Sequence, residues 1–328
     1  MRYSKKKIFS AAVALIVLAV ACVVAWQLVP SSADAMRGSA VVVEQTSWQE
    51  IRIDGKPRLY FSGCMGDSTL LGVTANRDSA AHHRRMAGCW INRWSLVPSC
   101  MGRIATVYSA APAVPRLGAD SCIVRMCRQS IATQLKTLKT QKSELDYYLR
   151  VHGVQDNGYQ AIAALASRVN AAYADVSRAG RVLDSLTANG RHRLAVASAT
   201  EYVAVYRGTD GKTRRTRLNR IGSDPNARMM TLQTVDGKTP DSASPLSVTP
   251  WVMSHRRGIL AVGFPGLGEN GLECDTVSPV IVPGTWSADG SHDLPRLLVS
   301  DGSPVFTKKG RFIGIVSGNS ILRHVKTH

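Results

Sequence analysis

Leu298-Val299-Ser300-Asp301-Gly302-Ser303-Pro304-Val305-Phe306, continued by Gly310-Arg311-Phe312-Ile313-Gly314-Ile315-Val316-Ser317-Gly318, decides how this chain is read. Ser-Asp-Gly-Ser-Pro is turn chemistry: Asp and Ser side chains bond nearby backbone, and Gly accepts conformations closed to other residues. Apolar residues flank the turn on both sides, so it joins two extended segments. Phe312 to Val316 is apolar and partly β-branched, which is strand composition.

Further strands lie upstream. Gly258-Ile259-Leu260-Ala261-Val262-Gly263-Phe264-Pro265-Gly266, Val277 to Val282 and Arg296 to Val299 read as extended. Glu201 to Tyr206 is followed by Thr209-Asp210-Gly211-Lys212, a hairpin signal, and then by the strand Arg228 to Gln233. The first part of the chain repeats the pattern with Ala40 to Glu44, Trp48 to Ile53, Arg58 to Cys64, Thr69 to Ala75, Trp90 to Leu96 and Gly102 to Tyr108. Residues 121–198 differ. Leu135, Leu138, Lys142, Leu145 and Leu149 step by threes and fours, and so do Ile162, Leu165, Val169, Ala172, Tyr173, Val176, Leu183 and Leu186. That spacing predicts two amphipathic helices, broken at Val151 to Gly158 and folded into an antiparallel hairpin with arms of roughly 40 Å. Its apolar stripes pack on each other or serve a spacer or docking role.

The chain opens with Arg2, Lys5, Lys6 and Lys7, then an apolar run from Ile8 through Val29. About 20 such residues suffice to cross a bilayer, and the basic cluster stays cytoplasmic, so the remainder is exported. The length of the run favours an uncleaved anchor. Ala33-Asp34-Ala35 fits a cleavage signal, and cutting after Ala35 would release a secreted protein. Cys22 reads as an ordinary residue of that helix. Cys64, Cys89, Cys100, Cys122, Cys127 and Cys274 are an even set that permits disulfides in an exported domain, without indicating their pairing. No C-x-x-C or His pair suggests a metal, and nothing implies a cofactor.

The formal net charge is +18. A basic surface favours anionic partners. Its charges are spread along the chain, with clusters only at His82-His83-Arg84-Arg85 and Lys212 to Arg217, and no aromatic–basic array is present. Nucleic acid is therefore disfavoured as a partner.

The opening stretch resembles the nucleophile loop and following strand of trypsin-like serine proteases, which read G-[DN]-S-G-[GS]-P-V. Aligned on Gly302-Ser303-Pro304-Val305, the nucleophilic serine falls on Asp301. Leu70 to Arg77 resembles the L-[TV]-[TA]-A-x-H strand end, with Arg77 at the histidine position. Asp224 to Leu232 resembles the D-[IL]-A-L-L strand, with Arg228 at the aspartate position. The Gly263-Phe264-Pro265 strand is also similar to exported members of the family. The resemblance implies a mainly β fold of two packed six-stranded barrels. Residues 1–38 would be basic tip, membrane segment and polar linker; 39–120 the first barrel; 121–198 the inserted helical hairpin; and 199–328 the second barrel.

All three triad positions are then replaced. A guanidinium at Arg77 cannot act as a base, and a carboxylate at Asp301 would repel the developing oxyanion. The amides of Val299 and Asp301 would still face the oxyanion position. The new side chains could form an Arg77–Asp301–Arg228 ion cluster. The reading that follows is a membrane-anchored, exported, inactive protease homologue that binds a peptide or protein. Two alternatives stand beside it: an active serine endopeptidase with Ser303 or Ser300 as nucleophile and His82 or His83 as base, and a structural component of an envelope or secretion apparatus.

Overall fold

The computed structural model describes residues 13, 15, 17–18, 30–65, 69–92, 98–110, 112–113, 120–188, 192–247, 257–267 and 278–323. In chain order the strands are β1 (Ala40–Ile53), β2 (Lys56–Phe61), β3 (Gly63–Met65), β4 (Thr69–Leu71), β5 (His82–Trp90), β6 (Arg103–Val107), β7 (Leu194–Arg207), β8 (Thr213–Asp224), β9 (Met229–Thr234), β10 (Arg257–Gly263), β11 (Val280–Trp286), β12 (Pro304–Thr307), β13 (Phe312–Ser317) and β14 (Ser320–Leu322). The helices are α1 (Ala33–Ser39), α2 (Arg77–Ala80), α3 (Asp120–Val151) and α4 (Tyr159–Ala188). The chain divides into two compact units, one of residues 1–45, 84–109 and 201–328 and the other of 46–83 and 110–200.

The first unit is built on a closed barrel, in which β1, β5, β6, β9, β8 and β7 follow one another and β7 pairs back to β1. Alternation along each strand sorts its side chains between two cores. Val41, Val43, Met86, Trp90, Ile104, Tyr202, Ala204, Leu218, Met230 and Leu232 fill the barrel interior. Their neighbours Val42, Ala87, Cys89, Ala105, Val107, Val205 and Met229 face outward and pack with Val262, Phe306 and Ile315 of a second sheet and with Phe264 just after β10. That sheet has the order β11-β10-β12-β13-β14. Its far face is covered by Trp286, Leu294, Val299 and Ile321. Isolated bridges Trp286↔His292 and Ser291↔Ser320 connect its two edge strands.

Several expectations change here. Strands β7, β8 and β9, assigned from the sequence to a second barrel, close the first. The helical hairpin therefore interrupts one barrel between β6 and β7 instead of separating two. Closure removes open strand edges, a tertiary demand that local patterns do not encode. The basic cluster His82 to Arg85 begins β5. The polar linker at Pro30 to Gly38 contains α1. Ser32 caps it by accepting from the Ala35 amide (3.2 Å), and Met36 joins the core. No disulfide joins the described cysteines; Cys89 and Cys127 are buried thiols, and Cys274 lies outside the described residues. Most of the apolar run at Ile8 to Val29 also lies outside them, and among the described residues no helix is long and apolar enough to cross a membrane.

The second unit holds α3 and α4, of 32 and 30 residues, joined across the break at Val151 to Gly158. Ile123, Met126, Cys127 and Ile131 of α3 and Val176, Ala179 and Leu183 of α4 share a core with Ile51, Leu59, Phe61, Leu70 and Val73. The hairpin is thus rooted on strands at its base. At its far end Tyr147, Val151 and Val154 are exposed.

One carboxylate ties the barrel across its strands. Glu44 on β1 is 14% exposed, accepts from Arg85 on β5 (3.0 Å) and also pairs with Arg215 on β8. Removing it leaves two guanidiniums facing each other. Glu44→Ala is expected to lower unfolding stability by about 2 kcal/mol, less than for a fully buried pair because Arg215 is largely exposed. Denaturant titration by circular dichroism measures this.

Candidate functional site

The turn Ser300 to Ser303 is held by backbone. The Ala87 amide on β5 donates to the Asp301 carbonyl (3.0 Å), the Gly302 amide donates to Val316 (2.8 Å), and the Ser303 amide closes the turn on Ser300 (3.1 Å). Gly302 has φ +90°, and a Cβ there would lie 1.8 Å from the Ala87 oxygen. Only glycine fits both the torsion and the approach. Thr106 on β6 donates its hydroxyl to the same Ala87 carbonyl (2.6 Å), so β5, β6 and the loop meet at one point.

The Asp301 side chain emerges from this anchored turn. The Gly318 amide donates to its Oδ1 (2.7 Å), and the Arg84 guanidinium stands 4.0 Å from its Oδ2. Arg84 also donates to the Oγ of Ser109 (3.1 Å), which is buried just beyond the end of β6. Carboxylate, guanidinium and hydroxyl therefore form a continuous polar row. The Arg84–Asp301 pair is half exposed, at 51% and 39%, so it contributes at most about 1 kcal/mol to stability. Its use is a fixed pattern of charge: a donor fork and an acceptor side by side, suited to polar groups of a bound chain.

The residues expected from the sequence are distributed differently. Arg77 is held within the second unit, where it pairs with Asp78 (3.2 Å) and stacks over the Trp48 ring (4.8 Å). The cation beside Asp301 is Arg84. Arg228 is exposed, and its φ of +54° belongs to a turn in which its carbonyl accepts from the Tyr108 amide (2.9 Å). Among the described residues Arg228 forms no ion pair, so the Arg77–Asp301–Arg228 cluster is replaced by Asp301–Arg84–Ser109. The Val299 amide is turned to the Pro295 carbonyl (3.0 Å) and does not face an oxyanion position. Ser303 is fully buried, and its Oγ has no hydrogen-bond partner among the described residues; the Ser300 Oγ is likewise buried without one. His82 contacts the Ser62 carbonyl (2.6 Å) and His83 the Thr46 hydroxyl (3.2 Å), both within the second unit. A serine hydroxyl gains nucleophilic power from a neighbouring base, and neither Ser303 nor Ser300 has an imidazole in hydrogen-bonding contact.

Sequence reasoning missed Arg84, Ser109 and His292. A signal was present for Arg84 alone; Ser109, just past the apolar strand Ile104 to Val107, carries no motif of its own. Counting alternation back from Trp90 through Gly88 and Met86 carries β5 into the basic cluster. His292 has no local signal. It accepts the Leu294 amide on Nδ1 (3.3 Å), which places its proton on Nε2. Burial holds its pKa below the ordinary value, while the Gly318 backbone and Asp293 pull weakly the other way.

Two outcomes are expected. Gly302→Ala should cost about 3 kcal/mol or more, because strain and clash coincide, whereas Gly318→Ala, with φ +58° and open space, should cost only about 1 kcal/mol. Comparative denaturant unfolding separates them. The lowered pKa of His292 means that the unfolded chain takes up a proton which the folded one refuses. Its contribution is therefore present above about pH 6.5 and is lost as pH falls below it. Melting temperature should drop between about pH 8 and about pH 5, and His292→Asn should flatten that slope.

No known family profile matches the chain, and no curated protein matches it. Among solved structures it is similar to Deg5, with TM-score 0.36 and 11% identity over 86% of this chain and 80% of that one. It is also similar to the apo MamO protease domain of Magnetospirillum magneticum, with TM-score 0.26 and 13% identity over 37% of this chain and 68% of that one. Neither likeness is close enough to assign a family.

Proposed function

We propose that this chain is a membrane-anchored, exported protein of trypsin-like architecture that has exchanged catalysis for binding, with a peptide or protein segment as its ligand. The observation that carries the reading is the Asp301 row. The loop that aligns in sequence with a nucleophile loop is a tight turn held on Ala87 and Val316. The side chain it presents is a carboxylate flanked by Arg84, and the hydroxyls of both loop serines, Ser300 and Ser303, are buried with no base in contact. Such a site offers fixed charge and a hydroxyl bonded to its guanidinium but no activated hydroxyl for acyl transfer. Anchoring is supported by the structured path of the chain after the apolar run: Ser31 bonds to Gly310 (2.9 Å), and Met36 is built into the core. That continuity favours retention over cleavage after Ala35.

A fluorophosphonate reagent, which marks activated serines, should leave the full-length protein unlabelled by intact-mass spectrometry. Stoichiometric labelling at Ser303, Ser300 or Ser109 would overturn the reading in favour of a working hydrolase. Peptides selected on the wild-type chain should bind Arg84→Ala about tenfold more weakly, equivalent to about 1.4 kcal/mol, as one charged contact is lost. Titration by fluorescence anisotropy measures that difference. The anchor itself is checked by alkaline extraction, which should leave the protein in the membrane pellet.

A further inference from the structure

We propose that the turn between β12 and β13, Lys308-Lys309-Gly310-Arg311, is a docking surface for an anionic lipid bilayer; this rests on the reading of the apolar N-terminal run as a membrane anchor. The Ser31 amide donates to the Gly310 carbonyl (2.9 Å). Gly310 has φ +79°, and a Cβ there would come within 2.2 Å of the Ser31 oxygen, so the incoming chain lies directly on the turn. The apolar run ends at Val29, two residues before this contact. Two residues span at most about 7 Å. With the run in the bilayer, the turn is held about one Debye length from the headgroups, roughly 8 Å at physiological salt.

The charge on the turn suits that position. Lys308, Lys309 and Arg311 are all exposed. Among the described residues none of them is in an ion pair. By contrast Arg37, on α1, is neutralised by Asp34 (3.1 Å). No acidic residue follows Asp301 in the chain. Three unpaired cations tethered at fixed short range meet a surface at high effective concentration, so even weak individual attraction orients the body of the protein. A soluble polyanion would have no reason to select this turn over the arginines of β8; the tether is what selects lipid.

The test uses the full-length chain reconstituted into phosphatidylcholine vesicles and into vesicles containing phosphatidylglycerol. A water-soluble amine-acylating reagent is applied, and modification of each lysine is followed by mass spectrometry. Lys309 should react on the order of threefold more slowly on the anionic vesicles. Lys212, on the β7–β8 turn, should react equally on both. The difference should vanish in about 1 M salt, where the Debye length is about 3 Å. Equal Lys309 rates on the two vesicles, or a slowing that Lys212 shares, would overturn the proposal. Flotation of the same samples separates the two readings. Protein that fails to float with neutral vesicles sinks the anchor and this inference together, while protein that floats with equal labelling sinks this inference alone.

Discussion

The contact between Gly302 and Ala87 governs the first unit. A carbonyl and an amide of β5 receive the loop that follows Val299, and glycine alone permits the approach. The turn is held largely by main chain, through the Ala87, Gly302 and Ser303 amides and the carbonyls they meet. The Asp301 side chain adds one bond, accepting the Gly318 amide (2.7 Å). A turn secured mostly by backbone can change the side chain it displays without changing its shape.

The electrostatics follow from strand alternation. Arg84 and Arg85 are adjacent on β5 and so point to opposite faces. Arg85 turns to Glu44, where it meets Arg215 and helps close the barrel. Arg84 turns to Asp301 and Ser109. One basic dipeptide thus serves the structure with one residue and the candidate site with the other. The partly buried Glu44 needs its cations; the half-exposed Asp301 does not, which leaves its charge available to a ligand.

Much of this was legible locally. The period-three-and-four pattern marked the helical insert, now bounded by Asp120–Val151 and Tyr159–Ala188. Turn chemistry located Asp301 and Gly302. The wrong choices have a common cause. Arg77 was placed beside Asp301 on a short local alignment, whereas strand pairing across the barrel brings Arg84 of β5 there. Arg228 was expected to pair with Asp301, but its backbone sits in a left-handed turn whose side chain stays in solvent. His292 reaches its place because an isolated bridge draws it to Trp286, which no window of neighbouring residues can reveal.

By itself the sequence determined the β-rich character, the inserted helices, the basic N-terminal run and the acid at position 301, because each depends on periodicity or composition over a few adjacent residues. Tertiary structure alone decided that β7, β8 and β9 close the first barrel, that no disulfide joins the cysteines it describes, and that Arg84, bonded to Ser109, stands beside Asp301. These rest on hydrogen bonds and contacts between residues far apart in the chain, and it is strand register, set by the whole barrel at once, that chooses among partners which look equivalent one segment at a time.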